Sequence, residues 1–416
     1  MKAMKVSVII LAAAFLALGA GTTYAFHGGG VADCAGCHSM HSPAAGSGTL
    51  LLKGSDPSST CLNCHMVAGA TTPSSYHILT TDADRIALGG KPANYTPGGD
   101  FQWVRIPFTF TAHGETTNET GDSHGHNIVA VDHGMTADAT NAQAPGGSFQ
   151  SNALHCNSCH DQHGQFRRLV DDTIVKTGYP IMGSGSTTKA APTATAAVGT
   201  YRLLAGSGYS TTAAGAIGYL GAPAAISPSS YNHDESDNQV RVSYGVGNAA
   251  GNTTWGNWCK TCHAGMHSSG NTVHPVDQTL NNTFASNYQT YMSSGKMTNT
   301  SDNSYLSLVP YAVNSGSYNV IKSFANDNDS NLTYPTQGAQ VMCLSCHRAH
   351  ASGFPEMLRW YGESEFLTTV SGGNVLWPSS SIGRNQEQAN AAYYNRPASS
   401  FGAYQRVLCN KCHAKD

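Results

Sequence analysis

All twelve cysteines of this 416-residue chain stand in six C-x-x-C-H pentapeptides. Cys34, Cys37 and His38 form the first (CAGCH), and Cys61, Cys64 and His65 the second (CLNCH). Cys156, Cys159 and His160 follow (CNSCH), then Cys259, Cys262 and His263 (CKTCH). Cys343, Cys346 and His347 (CLSCH) and Cys409, Cys412 and His413 (CNKCH) complete the set. This pentapeptide is the attachment signature of c-type haem. The two thiols add across two porphyrin vinyl groups, and the adjacent imidazole falls under the iron as an axial ligand. A disulfide framework would not place His after every second Cys, and zinc sites built from paired C-x-x-C units would not need those six histidines. The sequence therefore predicts six covalently attached haem c groups.

Composition says what kind of polypeptide surrounds them. Only 11% of residues are charged and 45 are Gly, where an ordinary soluble domain has about 25% charged residues. That argues against a helical bundle and against an ordinary α/β enzyme. The net charge of -3 leaves no basic surface for nucleic acid. The expected fold is mostly irregular coil with a few short helices and little strand, a multihaem c-type cytochrome wrapped around a haem chain. Long Gly/Ser/Thr/Ala stretches such as 183–199 and 206–230 would be unusual in a compact domain, but haem offers them an apolar surface to cover. The motifs keep no fixed spacing, so no solenoid is expected. Local pattern predicts a short strand over Phe101–Phe110 and helices over Asn282–Met297, Pro355–Thr368 and Gln386–Tyr394, with each haem motif starting a helix of one or two turns.

Residues 1–25 read as a secretory signal, with Lys2 and Lys5 ahead of an apolar run and Thr23-Tyr24-Ala25 at the cleavage point. Residues 26–416 are then expected as one elongated hexahaem domain, exported to the cell surface or beyond. No cysteine stands at the cleavage point to carry a lipid anchor.

Six irons with two axial histidines each need six ligands beyond the motifs. Nineteen histidines are present, so thirteen remain for that role. His77, His126 and His274 lie in loops able to fold over a haem. His41, His163 and His350 follow their motif His by three residues and His267 by four, while His155 directly precedes Cys156. Each of these is pinned on the proximal side of its own iron, so each can reach only a neighbouring haem. His27 is a weaker candidate, and His113, His124, His133 and His233 read as solvated or hydrogen-bonding. Met40, Met66, Met266 and Met342 lie beside motifs, but with His in surplus histidine is favoured at all six irons. Arg167, Arg168 and Arg348 are candidate partners for haem propionates.

Hexacoordinate irons in near contact make an electron path rather than a substrate site. The competing reading is a secreted multihaem reductase with one substrate-accessible haem. Such enzymes often replace a motif His by Lys, and no C-x-x-C-K occurs here. The first and last motifs lie near the two chain ends, so a head-to-tail contact would continue the path into an open filament.

Several segments resemble the extracellular hexahaem cytochrome filaments, or nanowires, of metal-reducing bacteria. They are Phe26-His27-Gly28-Gly29-Gly30-Val31-Ala32, Pro73-Ser74-Ser75-Tyr76-His77-Ile78, Gly125-His126-Asn127-Ile128-Val129-Ala130, the run from Cys343 to Phe354, and the closing CNKCHAKD. The resemblance implies scarce regular structure, bis-histidine irons, and a homopolymer with alternating parallel and T-shaped haem pairs. It implies electron export to extracellular metal oxides, electrodes or partner cells, fed by periplasmic and outer-membrane cytochromes. It further implies that His41 ligates the haem on His347 of the adjacent subunit. The chain departs from the family's pattern at Met66-Val67 and at 321–324, which lack a His. If either is a ligand elsewhere, His113, His124 or His133 must substitute here.

Overall fold

The computed structural model describes residues 34–67, 76–112, 114–188, 191–228, 242–248, 250–267, 276–290, 309–325, 338–379 and 382–413. The expected signal segment 1–25, His27, His113, His233 and His274 lie outside the described residues. Among the described residues the chain is mostly coil, tied by short helices and seven small sheets of two or three strands. No described helix is long and apolar enough to cross a membrane.

The longest pairing is the hairpin of Phe108–Ala112 with Glu115–Glu119, in register from Phe108↔Glu119 to Ala112↔Glu115. Arg167–Arg168 is the middle strand of one three-stranded sheet, antiparallel to Ile174–Val175 and to Val198–Gly199. Ser243–Gly245 is the middle strand of another, antiparallel to Ala225–Ile226 and parallel to Ala312–Val313. The hairpin of Thr369–Ser371 with Asn374–Leu376 turns through Gly372 and Gly373, both at positive φ. Consecutive left-handed residues are what a tight two-residue hairpin demands.

The main side-chain core is aromatic. Trp103, Trp360, Trp377, Tyr393, Tyr394 and Phe354 are all fully buried, and Trp377 stacks on Tyr393 at 3.8 Å. Each such ring contributes about 1.5–3 kcal/mol of burial, a large part of what a coil-rich chain can gain from side chains alone.

Local expectations met mixed outcomes. Gln386–Ala392 is helical and closed by a capping box from Asn385. The helix from Asn282 runs as far as Thr290, and the rest of that expected span lies outside the described residues. The strand expected over Phe101–Phe110 is instead a 3₁₀ turn, Phe101–Arg105, leading into the strand from Phe108. Asp100 caps that turn from its side chain to Gln102 N, which outweighs the alternating pattern. Pro355 opens only a 3₁₀ turn, Pro355–Met357, because Glu356 and Met357 are left-handed and stop the helix. Helices start at the motif in the first, third and fifth cases, Cys34–Cys37, Cys156–Cys159 and Cys343–Cys346. The second and fourth motifs lie instead at the C-terminal ends of longer helices, Pro57–His65 and Trp255–Lys260.

Candidate haem-ligand network

The first, third and fifth motifs share one backbone scaffold. Each begins a single helical turn, and each motif His forms an isolated bridge to a leucine: His38 to Leu52, His160 to Leu204, and His347 to Leu358. The residue after the motif His donates to the carbonyl before that leucine, in Ser39 to Leu51, Asp161 to Leu203 and Arg348 to Met357. The residue after the leucine donates back to the second motif cysteine, in Lys53 to Cys37, Ala205 to Cys159 and Arg359 to Cys346. Left-handed residues make the turn in each copy: Leu51, the pair Arg202 and Leu203, and the pair Glu356 and Met357. The turn presents one carbonyl to the imidazole. His38 Nδ1 donates to Leu50 O at 2.8 Å, His160 to Arg202 O at 2.7 Å, and His347 to Glu356 O at 2.6 Å.

The second and fourth motifs are mounted differently. Their helices are capped by Asp56, which accepts from Ser59 N, and by Thr254, which accepts from Asn257 N. The imidazoles are still anchored through Nδ1, His65 to Tyr76 O at 2.8 Å and His263 to Pro145 O at 3.0 Å. A carbonyl can only accept, so Nδ1 carries the proton in all five anchored motif histidines and Nε2 keeps its lone pair. That is the tautomer a metal ligand needs.

Among the described residues, histidine rings face one another in three places. His38 and His163 are 6.4 Å apart between ring centres with planes 11° apart. His160 and His350 are 6.2 Å apart at 60°, and His126 and His263 are 6.0 Å apart at 40°. Two imidazoles sharing one iron are expected about 6.2 Å apart, from two metal–nitrogen bonds of about 2 Å and about 1.1 Å from each nitrogen to its ring centre. The residues present therefore fit a haem iron between each pair. His126 Nδ1 donates to Ala349 O at 2.7 Å, fixing its tautomer as well. Burial, reinforced by the neighbouring histidines, lowers His350 to about 3 and His126 to about 4, so both are neutral donors throughout the physiological range.

The cysteines give the order of the sites. Cys61 hydrogen-bonds Cys156, and Cys259 hydrogen-bonds Cys343, which brings together the first cysteines of motifs two and three and of motifs four and five. Second cysteines approach within two of the other pairs, Cys37 with Cys64 and Cys159 with Cys262, and Cys346 lies near both cysteines of the sixth motif, Cys409 and Cys412. In a haem-loaded chain these atoms are thioether sulfurs, and it is their proximity that carries over. The six sites thus follow one another in sequence order, each motif's cysteines lying near those of the next.

The remaining expected ligands fall as follows. His77 lies beside His65, its ring tilted on Tyr76 at 4.3 Å. His155 is buried, with Nδ1 donating to Val129 O at 3.0 Å. His41 is exposed, three residues past His38. His267 ends a 3₁₀ turn, Ala264–His267, and His413 ends the helix Asn410–His413 with its ring edge-on to Phe284. The two described substitutes are otherwise engaged. His124 uses both ring nitrogens, on Glu119 and Ser352 O, and His133 Nε2 donates to Ser59 O. Of the methionines beside motifs, Met40 is exposed and Met342 is buried in a core cluster. Arg168 is buried and donates to Asp172 and Asn252. Arg167 Nη1 donates to Gly178 O and Tyr179 O, and Arg348 Nη1 donates to Pro97 O.

No protein-family model matches the chain. It is 45% identical over 440 residues to C-type cytochrome OmcS of Geobacter sulfurreducens, with all of both chains covered. The chain belongs to the OmcS family of c-type cytochromes.

Two solved structures carry the same likeness, a cryo-EM structure of OmcS nanowires and an outer membrane cytochrome S filament, both from Geobacter sulfurreducens. Each has a TM-score of 0.84 and 44% identity, covering 94% of this chain and 100% of the other. The OmcS-like fold is the coil-rich, closely tied architecture described above. What the sequence alone missed in this family member is the carbonyl carrier turn. The carbonyls of Leu50, Arg202 and Glu356 are backbone groups that any residue type could supply. The visible trace of the shared scaffold is H-x-x-H, present at His38–His41, His160–His163 and His347–His350.

Proposed function

We propose that this chain is an exported hexahaem cytochrome that conducts electrons along six covalently attached haems and polymerises head to tail into extracellular filaments. Residues 1–25 are the export signal and 26–416 one elongated unit. His38 with His163, His160 with His350, and His263 with His126 would hold the first, third and fourth irons. The second and sixth irons draw on His77, His155, His267 and His274. The bound haem supplies one-electron redox chemistry, and the protein's part is to saturate each iron and to hold neighbours close. With every iron saturated the protein is a carrier rather than an enzyme. Its substrates are redox partners: periplasmic and outer-membrane cytochromes on the cell side, and metal oxides, electrodes or other cells outside.

The observation that carries this reading is a two-motif step. His163, the second His of the H-x-x-H at the third motif, faces His38 of the first motif, and His350, its counterpart at the fifth motif, faces His160 of the third. The same scaffold at the first motif leaves His41 exposed, with no earlier motif in its own chain to serve. Continuing the step, His41 ligates the iron on His347 of the next subunit. The test is His41→Ala in the secreted holoprotein. Expected are six haems per chain by pyridine haemochrome, no long filaments by electron microscopy, and one carbon-monoxide-binding iron per subunit. Long filaments with six low-spin irons would overturn the interchain ligand.

A further inference from the structure

The three opposed ring pairs are not alike, and one ligand stands apart in two independent ways. His350 crosses its partner ring at 60°, against 11° and 40° in the other pairs. Its Nδ1 is buried and lacks a well-aligned acceptor; the Gly99 backbone offers it a weak contact in place of the short carbonyl hydrogen bond of the other rings. By contrast His38, His160, His126 and His263 all donate Nδ1 to a carbonyl, and His163 is open to solvent.

Packing takes the place of the missing carbonyl. Phe101 stacks on the His350 ring at 4.7 Å and 19°. Phe101 is buried at the head of a turn that Asp100 clamps from four sides, accepting from Thr80 N, Thr80 Oγ1, Asn94 Nδ2 and Gln102 N. Behind the ring edge stands Gly98, where a Cβ would lie 2.8 Å from His350 Nδ1 and 3.0 Å from its Cγ and Cε1. Gly98 O also accepts from His350 N at 2.7 Å. Ring orientation here is set by a wall, a stack and the backbone, so it need not satisfy an acceptor.

Both departures act in one direction on an iron. A carbonyl accepting from Nδ1 draws the proton away and makes Nε2 a stronger donor, which favours ferric iron; without it the imidazole is the weaker ligand. Near-parallel rings direct their π donation into one iron d orbital and stabilise the ferric hole there. Crossed rings divide that donation between two orbitals and withdraw the stabilisation. Axial ligation and its hydrogen bonding are the levers by which a protein spreads haem potentials.

Resting on the ligand pairs proposed above, we infer that Phe101 and Gly98 are positioning residues that make the iron between His160 and His350 the highest in potential of these three. That iron is a resting place for electrons inside the path, set apart without any change of ligand type.

The experiment is a potentiometric titration of the six-haem holoprotein followed by electron paramagnetic resonance. Crossed rings give the low-spin ferric signal with the larger maximum g value. That signal is expected to disappear ahead of the near-parallel ones as the potential is lowered. In Phe101→Leu it is expected to move to smaller g and to titrate at lower potential, with the other signals in place. The inference is overturned if the large-g signal disappears last, or if Phe101→Leu loads six haems and leaves both its g value and its potential unchanged. Should Phe101→Leu fail to load, the titration of the unmodified protein decides alone. Fewer than six haems in the unmodified protein would count against the hexahaem reading instead.

Discussion

Asp56 shows how much one residue does for a haem mount. Its carboxylate caps the helix Pro57–His65, accepting from Ser59 N at 2.8 Å and Ser59 Oγ at 2.6 Å, and it also accepts from Val131 N at 2.8 Å. Burial alone would raise its pKa. The hydrogen bonds with His155, Ser59 and Val131 outweigh burial and hold it at about 2. A depressed carboxylate stabilises the fold above its unfolded pKa, near 3.9, and loses that contribution as pH falls through about 2. Asp56→Ala is expected to cost about 1–2 kcal/mol at neutral pH, as for other lost caps. The difference from the parent should vanish toward pH 2, which denaturant titration at several pH values would show. The cap itself is legible in the sequence, since Asp followed by Pro at the first helical position is a start signal. Its tie to Val131 is not, because nothing local links residues so far apart.

Between single residues and the whole chain lies the ribbon formed by 124–126 and 349–352. It carries His126 and His350, and it is continuous with His347. Gly125 bridges Ala351, His126 N donates to His350 O, and Ser352 N donates to His124 O. Gly99, at φ +93°, lies so close to this ribbon that an added Cβ would overlap Ala351 O. Gly99→Ala is therefore expected to destabilise by more than ~1 kcal/mol and to shift the spectra of the third and fourth irons together. Magnetic resonance of the low-spin signals would check it; a change confined to one signal would separate the two ligands. Elements of this kind explain which expectations held. The helix at Gln386–Ala392 is local in origin and was readable. The turn at Pro355–Met357 serves the imidazole of His347, and its left-handed residues Glu356 and Met357 leave no mark in a hydrophobic pattern.

Across the whole molecule the motif count and the H-x-x-H spacing were legible, and the pairing of rings was not. His163 and His38 come together only because the intervening chain folds back. The two-motif step predicts a contrast between equivalent histidines. His163→Ala is expected to open one iron to carbon monoxide, as expected for His41→Ala, yet to leave filaments long, because the ring it faces, His38, lies in its own chain. Electron microscopy beside difference spectra would check the contrast. The charge of the assembled object is also predictable. Without Lys2 and Lys5 the chain keeps 20 basic and 25 acidic residues, and each haem adds two propionates. Isoelectric focusing of the holoprotein should find it acidic.

The two-motif step does not close on itself within one copy. On the ligand exchange proposed above, each subunit would lend an imidazole forward and borrow one from behind, so a strand would have a direction. At one tip a lender would have no borrower, and at the other one iron would stay unsaturated however many subunits lie between. Carbon monoxide uptake per haem should therefore fall as the inverse of mean strand length and rise when strands are sheared. A gas titration then counts ends, and with them the average length of the polymer, without a microscope.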